Sequence, residues 1–392
     1  MSERPGLVVA VTTSQSAVLL RGQLAFLRER GFDAYLLCAG DHTAREFCER
    51  EGARLLEVRM RREMSPLSDL PALLRIVRIL RCTRPALVNA GTPKAGLLAT
   101  EGAWLAGVPC RIYTLRGLRL ETERGGRRAV LSLSERVVCR LAHRVLCISP
   151  SLLARARELR LFPEGKGKVL GEGSSNGVDI IHFARTQEAE RRARDLRLRM
   201  GIPLDARVLG FVGRIVRDKG VAELVAAWLS LRSDYPDLQL LVVGPFEGGD
   251  PIPGDARRVL ESDPRIHLTG PVTDVPAAYA AINVLAVPTY REGFPNVFIE
   301  AAAMEVPAVG TRVVGCVDAV VDGVTGTLVP PRDPEALARA IRAYLERPEL
   351  AACHGREGRE RAVRSFRRET VWENLFREYL SLLAAKGLPA PG

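Results

Sequence analysis

Short apolar runs alternating with helical stretches, in two successive series, constrain this chain more than any other feature. The first series is Leu7–Val11, Ala34–Cys38, Ala86–Asn89, Arg111–Thr114 and Val145–Ile148, with a helical stretch from about Ala17 to Arg30 between its first two members. The second begins afresh at Arg207–Val212 and continues through Gln239–Val243, Ile266–Leu268, Val284–Val287 and Ala308–Gly310. Runs this short, separated by helices, imply βαβ crossovers and parallel sheets whose strands are buried on both faces. Two series predict two Rossmann-like domains, and 392 residues supply two cores of ordinary size. Gln187–Met200, dense in arginine and glutamate, reads as a connecting helix. The expected domains are therefore 1–186 and 187–369.

Hydrophobic residues make up 47% of the chain and charged residues 26%, a globular, water-soluble balance. No uninterrupted apolar run reaches the roughly 18 to 20 residues that span a bilayer. The opening Met1–Gly6 lacks a signal pattern. Eight scattered cysteines, with no CxxC pair and no metal-ligand spacing, read as reduced thiols in a cytoplasmic protein.

The net charge of +11 is unevenly distributed. Residues 1–180 hold 29 Lys and Arg against 18 Asp and Glu, whereas the remaining 28 of each cancel. A basic first half suits an anionic partner, such as a lipid-linked phosphate or the inner face of the cell membrane. Within it, Leu70–Arg84 sets Arg75, Arg78, Arg81 and Arg84 among leucines and isoleucines. That pattern fits either a helix lying on a membrane or an amphipathic helix packed on the first sheet. The arginine-rich tract from Arg116 to Arg128 is a better candidate for a loop that meets such a partner. With only 5% aromatic residues and no recognised module, a nucleic-acid partner is not expected.

Chemistry concentrates in the second half, at Glu292-Gly-Phe-Pro-Asn-Val-Phe-Ile-Glu300. Pro295 suits the first turn of a helix, since its φ fits and its missing N–H would be unpaired there. Glu292 then precedes the helix and Glu300 lies inside it. The N–H groups of residues 296 to 298 face outward as an anion site, with a carboxylate on either side to hold hydroxyl groups. A sugar nucleotide has that order of groups. Upstream, Phe211-Val-Gly-Arg-Ile-Val-Arg-Asp-Lys-Gly220 reads as a strand ending at Gly213, where backbone can approach a ligand closely. Arg214 offers a diphosphate a planar fork and Lys219 a point charge. No Asp-x-Asp motif is present, so no metal and no other cofactor is expected.

These segments together resemble the donor site of the GT-B glycosyltransferases of the large retaining family 4. The resemblance extends to Asn176-Gly-Val-Asp179, Val272-Thr-Asp-Val275 and Gly323-Val-Thr-Gly-Thr-Leu-Val329. Thr92-Pro-Lys-Ala-Gly96 and Arg111-Ile-Tyr-Thr-Leu-Arg-Gly117 are similar to bacterial members that build capsule, exopolysaccharide and lipid-linked glycans. It implies an α/β GT-B fold, two Rossmann-like parallel-sheet domains facing a central cleft, with a helix at about Glu369–Ala385 returning to the acceptor domain.

The resemblance also implies roles. Glu300 accepts from the ribose hydroxyls of a UDP-sugar, and Val272 touches the base. Arg214, Lys219 and the backbone from Gly293 and Phe294 through Pro295, Asn296 and Val297 receive the diphosphate. Glu292 lies at the donor sugar. The acceptor expected is a lipid-linked or polysaccharide glycan, approached from the membrane side. A soluble small-molecule acceptor and a nucleotide-sugar epimerase are the alternatives. One departure is Arg116, where many relatives carry a histidine. It reads as a ligand for a phosphate of donor or acceptor, for a uronic-acid carboxylate, or as a structural residue. The first-strand loop, Thr12-Thr-Ser-Gln-Ser16, lacks the paired glycines of many relatives, and its small polar residues, Ser14 and Ser16 among them, are candidates for a phosphate of donor or acceptor.

Overall fold

The computed structural model describes residues 4–60 and 66–392. Met1–Glu3, at the head of the segment read for a signal pattern, fall outside that range. The chain divides into two compact units, Met1–Asn176 with Glu369–Gly392, and Gly177–Arg368.

The first unit contains strands β1 (Gly6–Ala10), β2 (Asp33–Cys38), β3 (Arg54–Glu57), β4 (Leu87–Gly91), β5 (Cys110–Leu115), β6 (Arg144–Cys147) and β7 (Gly167–Lys168). They form one parallel sheet in the order β3-β2-β1-β4-β5-β6-β7. Side chains alternate between its two faces. Leu7, Val9 and Val11 enter one core with Leu375, Tyr379 and Leu383 of the returning helix Arg368–Ala384. Val8 and Ala10 enter the other core, with Ala72, Ile76 and Leu80 of the helix Pro66–Thr83. That helix is therefore packed on the sheet, while its Leu70 and Leu74 stay exposed.

The second unit contains β8 (Arg207–Val212), β9 (Leu238–Val243), β10 (Ile266–Gly270), β11 (Val284–Val287), β12 (Ala308–Thr311) and β13 (Gly326–Val329). They are ordered β10-β9-β8-β11-β12-β13, all parallel. Trp228, Phe211 and Leu240 lie at the centre of one core.

Three local expectations change. The helix expected from Ala17 to Arg30 is a 3₁₀ segment, Ser14–Leu20, and a separate α-helix, Gln23–Glu29. Between them Gly22 adopts φ +79°, and a Cβ there would lie 2.5 Å from the Trp372 ring. Glu51 accepts from the N–H groups of Gly22 and Ala25 at 2.7 and 3.0 Å, capping the second piece. Strand β3 was not anticipated, because Arg and Glu bracket only two leucines on this edge strand. Finally, the segment from Gly177 to Thr186, read with the first domain, belongs to the second. The Val178 N–H donates to Phe366 at 2.7 Å, and Arg368 pairs with Asp179 at 2.9 Å.

No helix among the described residues is long and apolar enough to cross a membrane.

Candidate functional site

Each sheet reverses its direction of winding once, between β1 and β4 in the first and between β8 and β11 in the second. Open α/β sheets hold ligands at such switch points, beyond the carboxyl ends of their strands.

In the second sheet β8 runs into Gly213 and Arg214, and β11 into the loop Pro288–Gly293. Gly213 has φ +151° and Gly244, after β9, has φ +135°. A Cβ on Gly244 would stand 2.0 Å from the Gly213 carbonyl oxygen, so only glycine lets these strand ends close together. The 3₁₀ turn Arg217–Lys219 ends at Gly220, φ +69°, where a Cβ would stand 1.9 Å from the Pro288 carbonyl oxygen. Asp218 ties the two loops together. Its carbonyl accepts from the Tyr290 N–H at 2.8 Å and the Thr289 hydroxyl at 3.0 Å, and its carboxylate from Arg291 at 2.9 Å.

Across this junction the Lys219 ammonium ion-pairs with Glu292, both largely buried. Beneath them lies the Cys316 thiol, whose pKa burial and the Glu292 charge push well up, so it stays protonated. Gly315, φ +79°, supports the loop from below, since a Cβ there would meet the Gly293 carbonyl at 2.5 Å. Arg214 pairs with Glu247 at 2.7 Å and is about half exposed.

The helix that follows is Asn296–Ala303. Pro295 is its extended cap residue (φ −80°, ψ 105°), one position earlier than the first turn expected for it. The Phe298 N–H bonds the Pro295 carbonyl at 3.2 Å, so of the N–H groups expected to face a ligand, residues 296 to 298, Phe298 is already engaged. The buried Asn296 Oδ1 has no partner among the described residues. Glu300, half-buried, accepts the Tyr279 O–H at 2.9 Å. Burial raises its carboxyl above the usual range, while the Tyr279 bond and the Arg368 charge oppose the rise. Tyr279 stands on the helix Val275–Ala280, which begins just after half-buried Val272.

Sequence reasoning missed Asp218, Tyr279, Glu247 and Arg291. Arg291 sits beside Glu292 and was accessible as its neighbour. Tyr279 and Glu300 are 21 positions apart, a pairing no local spacing announces.

At the first sheet's switch point, the Thr12 N–H donates to the Thr92 hydroxyl at 3.1 Å and the two hydroxyls stand 2.8 Å apart. Both threonines open segments quoted from the sequence, but the contact between them, across 80 positions, was not foreseen. Ser14 is buried and donates its proton to Asp41 at 2.5 Å, which leaves it none for a phosphate. Ser16 contacts the Thr13 hydroxyl at 3.3 Å. Arg116 leaves the end of β5, and burial lowers its pKa to about 10. Among the described residues no cluster of three or more His, Cys, Asp or Glu has metal-binding geometry.

Two family models match. Residues 206–347 fit the glycosyl transferases group 1 and residues 16–173 the glycosyl transferase 4-like domain. The chain is 36% identical over 373 residues to the Staphylococcus aureus capsular polysaccharide biosynthesis glycosyltransferase CapM, covering 95% of this chain and 96% of CapM. It is 34% identical to the Bacillus subtilis putative teichuronic acid biosynthesis glycosyltransferase TuaC over 213 residues, 53% of this chain and 49% of TuaC. In fold it is similar to Anabaena Alr3699/HepE, solved in complex with UDP-glucose. The TM-score is 0.79 at 21% identity, covering 96% of this chain and 99% of HepE.

Proposed function

The chain belongs to the group 1 and 4-like glycosyltransferases, with the GT-B fold, and from that premise we propose that it is a retaining enzyme that transfers a sugar from a UDP-sugar to a lipid-linked glycan during assembly of a capsule or related surface polysaccharide. The observation that carries this reading is the pair of carboxylates, Glu292 and Glu300, bracketing a helix start at the β8/β11 switch point beside Lys219 and Arg214.

Glu300 receives the ribose hydroxyls, with Tyr279 holding one of its oxygens. The donor diphosphate draws Lys219 and Arg214 away from Glu292 and Glu247, exchanging one anion for another at each cation. Glu292, released from Lys219, faces the sugar and stabilises positive charge at the anomeric carbon. Charge stabilisation where it develops is the largest contribution such a site makes. In a retaining, same-face reaction the departing phosphate takes the acceptor proton. No metal is assigned, and the two cations with the helix terminus supply the charge.

Support for a membrane-borne acceptor comes from the first domain. Leu70, Leu74, Trp104, Leu105, Val130 and Leu133 are exposed on three α-helices, the outer two each packed against the middle one, with Trp104 52% accessible. Leu56, Leu74, Arg75, Arg78 and Ile79 line a groove of about 640 Å³ along the first of these helices. Exposed apolar groups beside arginines suit an anionic bilayer surface.

The test is nucleoside diphosphate release from a panel of UDP-, GDP- and ADP-sugars, with and without membrane lipid extract. Release from one UDP-sugar only when lipid is present is the expected result. Equal release without lipid would favour a soluble acceptor. Donor conversion without UDP accumulation would mean an epimerase.

A further inference from the structure

Arg116 is a half-buried cation with no counter-ion among the described residues. Its Nε and Nη1 are fully enclosed and meet no hydrogen-bond acceptor among the described residues. The titratable groups that act on it are the phenols of Tyr379 and Tyr113, not carboxylates.

The polar groups around it already have partners. Asn89 accepts from Thr114 at 2.7 Å and donates to the Tyr379 oxygen at 2.6 Å. The Tyr113 O–H donates to Glu135 at 2.9 Å.

The backbone is shaped to receive this side chain. Gly91, opposite Thr114 in the sheet, lies under it, and a Cβ there would stand 2.8 Å from Arg116 Nε. The next residue, Thr92, holds φ +68°, a left-handed conformation that a β-branched residue rarely adopts. Thr12 clamps it there through the hydroxyl and N–H contacts, and the helix Pro93–Leu105 starts immediately after. Strain of this kind persists where the surroundings over-determine it, and it gathers at ligand sites.

An enclosed guanidinium nitrogen left unpaired is unfavourable, and an anionic ligand at this point would relieve that cost. We propose that Arg116 is the receptor for a phosphate group of the acceptor substrate, seated at the β1/β4 switch point with the N-terminus of the helix Pro93–Leu105 beside it. The side chain keeps partial access to solvent, through which a phosphate oxygen reaches its outer edge. Guanidinium and phosphate then match as fork and tetrahedron. The proposal rests on the transferase reading for the word acceptor. It differs from the donor site, whose cations lie in the other domain and are already paired.

Three measurements on the full chain test it, using Arg116→Met and, as a milder change, Gly91→Ala. Without ligand, Arg116→Met should melt a few degrees higher than the parent, because an unpaired buried charge is gone. Inorganic phosphate should raise the parent's Tm above that in chloride of equal ionic strength, and this difference should vanish in Arg116→Met and shrink in Gly91→Ala. UDP affinity should stay within about twofold in Arg116→Met. In turnover, KM for the phosphate-bearing acceptor should rise tenfold or more with a smaller change in kcat. A rise for an acceptor in vesicles identifies a lipid phosphate, and a rise for a water-soluble sugar phosphate identifies a free ester.

A lower Tm for Arg116→Met would make the residue structural and overturn the proposal. So would a phosphate effect that is absent from the parent or equal in both proteins. A tenfold loss of UDP affinity would assign Arg116 to the donor instead. Failure of the transferase reading itself has a separate signature, namely UDP binding unaffected by Glu300→Gln.

Discussion

The two switch points share an architecture but differ in how their charges are held. Between β8 and β11, Lys219 has Glu292, Arg214 has Glu247 and Arg291 has Asp218. Between β1 and β4, Arg116 has no acceptor among the described residues for two of its nitrogens, and Thr92 is held in a strained conformation. A site with internal counter-ions is stable when empty and binds by exchanging partners. A site with a bare cation is destabilised when empty and gains most when filled. Under the proposals above, nucleotide arrives at the first kind of site and acceptor phosphate at the second.

The largest effect should come from breaking the paired site. Lys219→Met removes the diphosphate cation and leaves Glu292 uncompensated, so kcat/KM for UDP release should fall by about 10²- to 10³-fold, the scale of losing one preorganised electrostatic group. Retention of a tenth of the activity would remove Lys219 from the centre of the mechanism.

Gly220→Ala should follow, with a loss of about 1–3 kcal/mol from backbone strain, seen as a lower Tm together with weaker UDP binding. Its Cβ would meet a backbone carbonyl, whereas a Cβ at Gly91 would meet the end of a flexible arginine. Equal destabilisation by Gly91→Ala would erase that contrast.

Tyr279→Phe tests the carboxylate of the paired site. Burial raises the Glu300 pKa and the Tyr279 O–H lowers it. Without the O–H the pKa rises further, so protonation as pH falls should set in at a higher pH. Loss of one hydrogen bond is about 1 kcal/mol, so UDP affinity on the acid side should drop roughly fivefold. Titrating Kd against pH in parent and variant checks this, and superimposable profiles would refute it.

Glu135→Gln probes the first domain. Burial lifts the Glu135 pKa from 4.5 to about 7. Between those values the folded state holds a proton that the unfolded state has released, so stability falls as pH rises from about 4.5 to 7 and levels off above. The variant should flatten that segment of a Tm–pH curve, and an unchanged slope would assign it to other groups.

The smallest change is expected from Glu247→Gln. Arg214 is about half exposed, and such pairs contribute about 0–1 kcal/mol. Freeing the arginine should tighten UDP binding no more than roughly fivefold, as calorimetry would show. Weaker binding would mean that Glu247 orients Arg214 rather than competing for it.

The inner strands of both sheets were legible because continuous apolar runs such as Arg207–Val212 and Val284–Val287 carry their own signal, whereas the edge strands β3 and β7, one flanked by charges and one only two residues long, were not. Gln187–Met200 was equally plain as a helix, with Gly201 ending it at φ +72°. The break at Gly22 was not legible, because its reason is a tryptophan some 350 positions further along the chain. Likewise Pro295 pointed to a helix start, but its one-residue displacement reflects an extended ψ set by the packed loop.

By itself, the sequence determined two parallel α/β domains, the motif segments that furnish a nucleotide-sugar site, and the concentration of positive charge in the first half. Each is a property of neighbouring residues or of composition. Only the tertiary structure decided which charges are answered. Lys219 finds Glu292 across 73 positions, and Ser14 gives its proton to Asp41 across 27. Arg116 stood out in the sequence as a departure from relatives, but only folding encloses two of its nitrogens with no carboxylate beside them among the described residues. Pairing and desolvation depend on what folding brings near, and that is not encoded in local spacing.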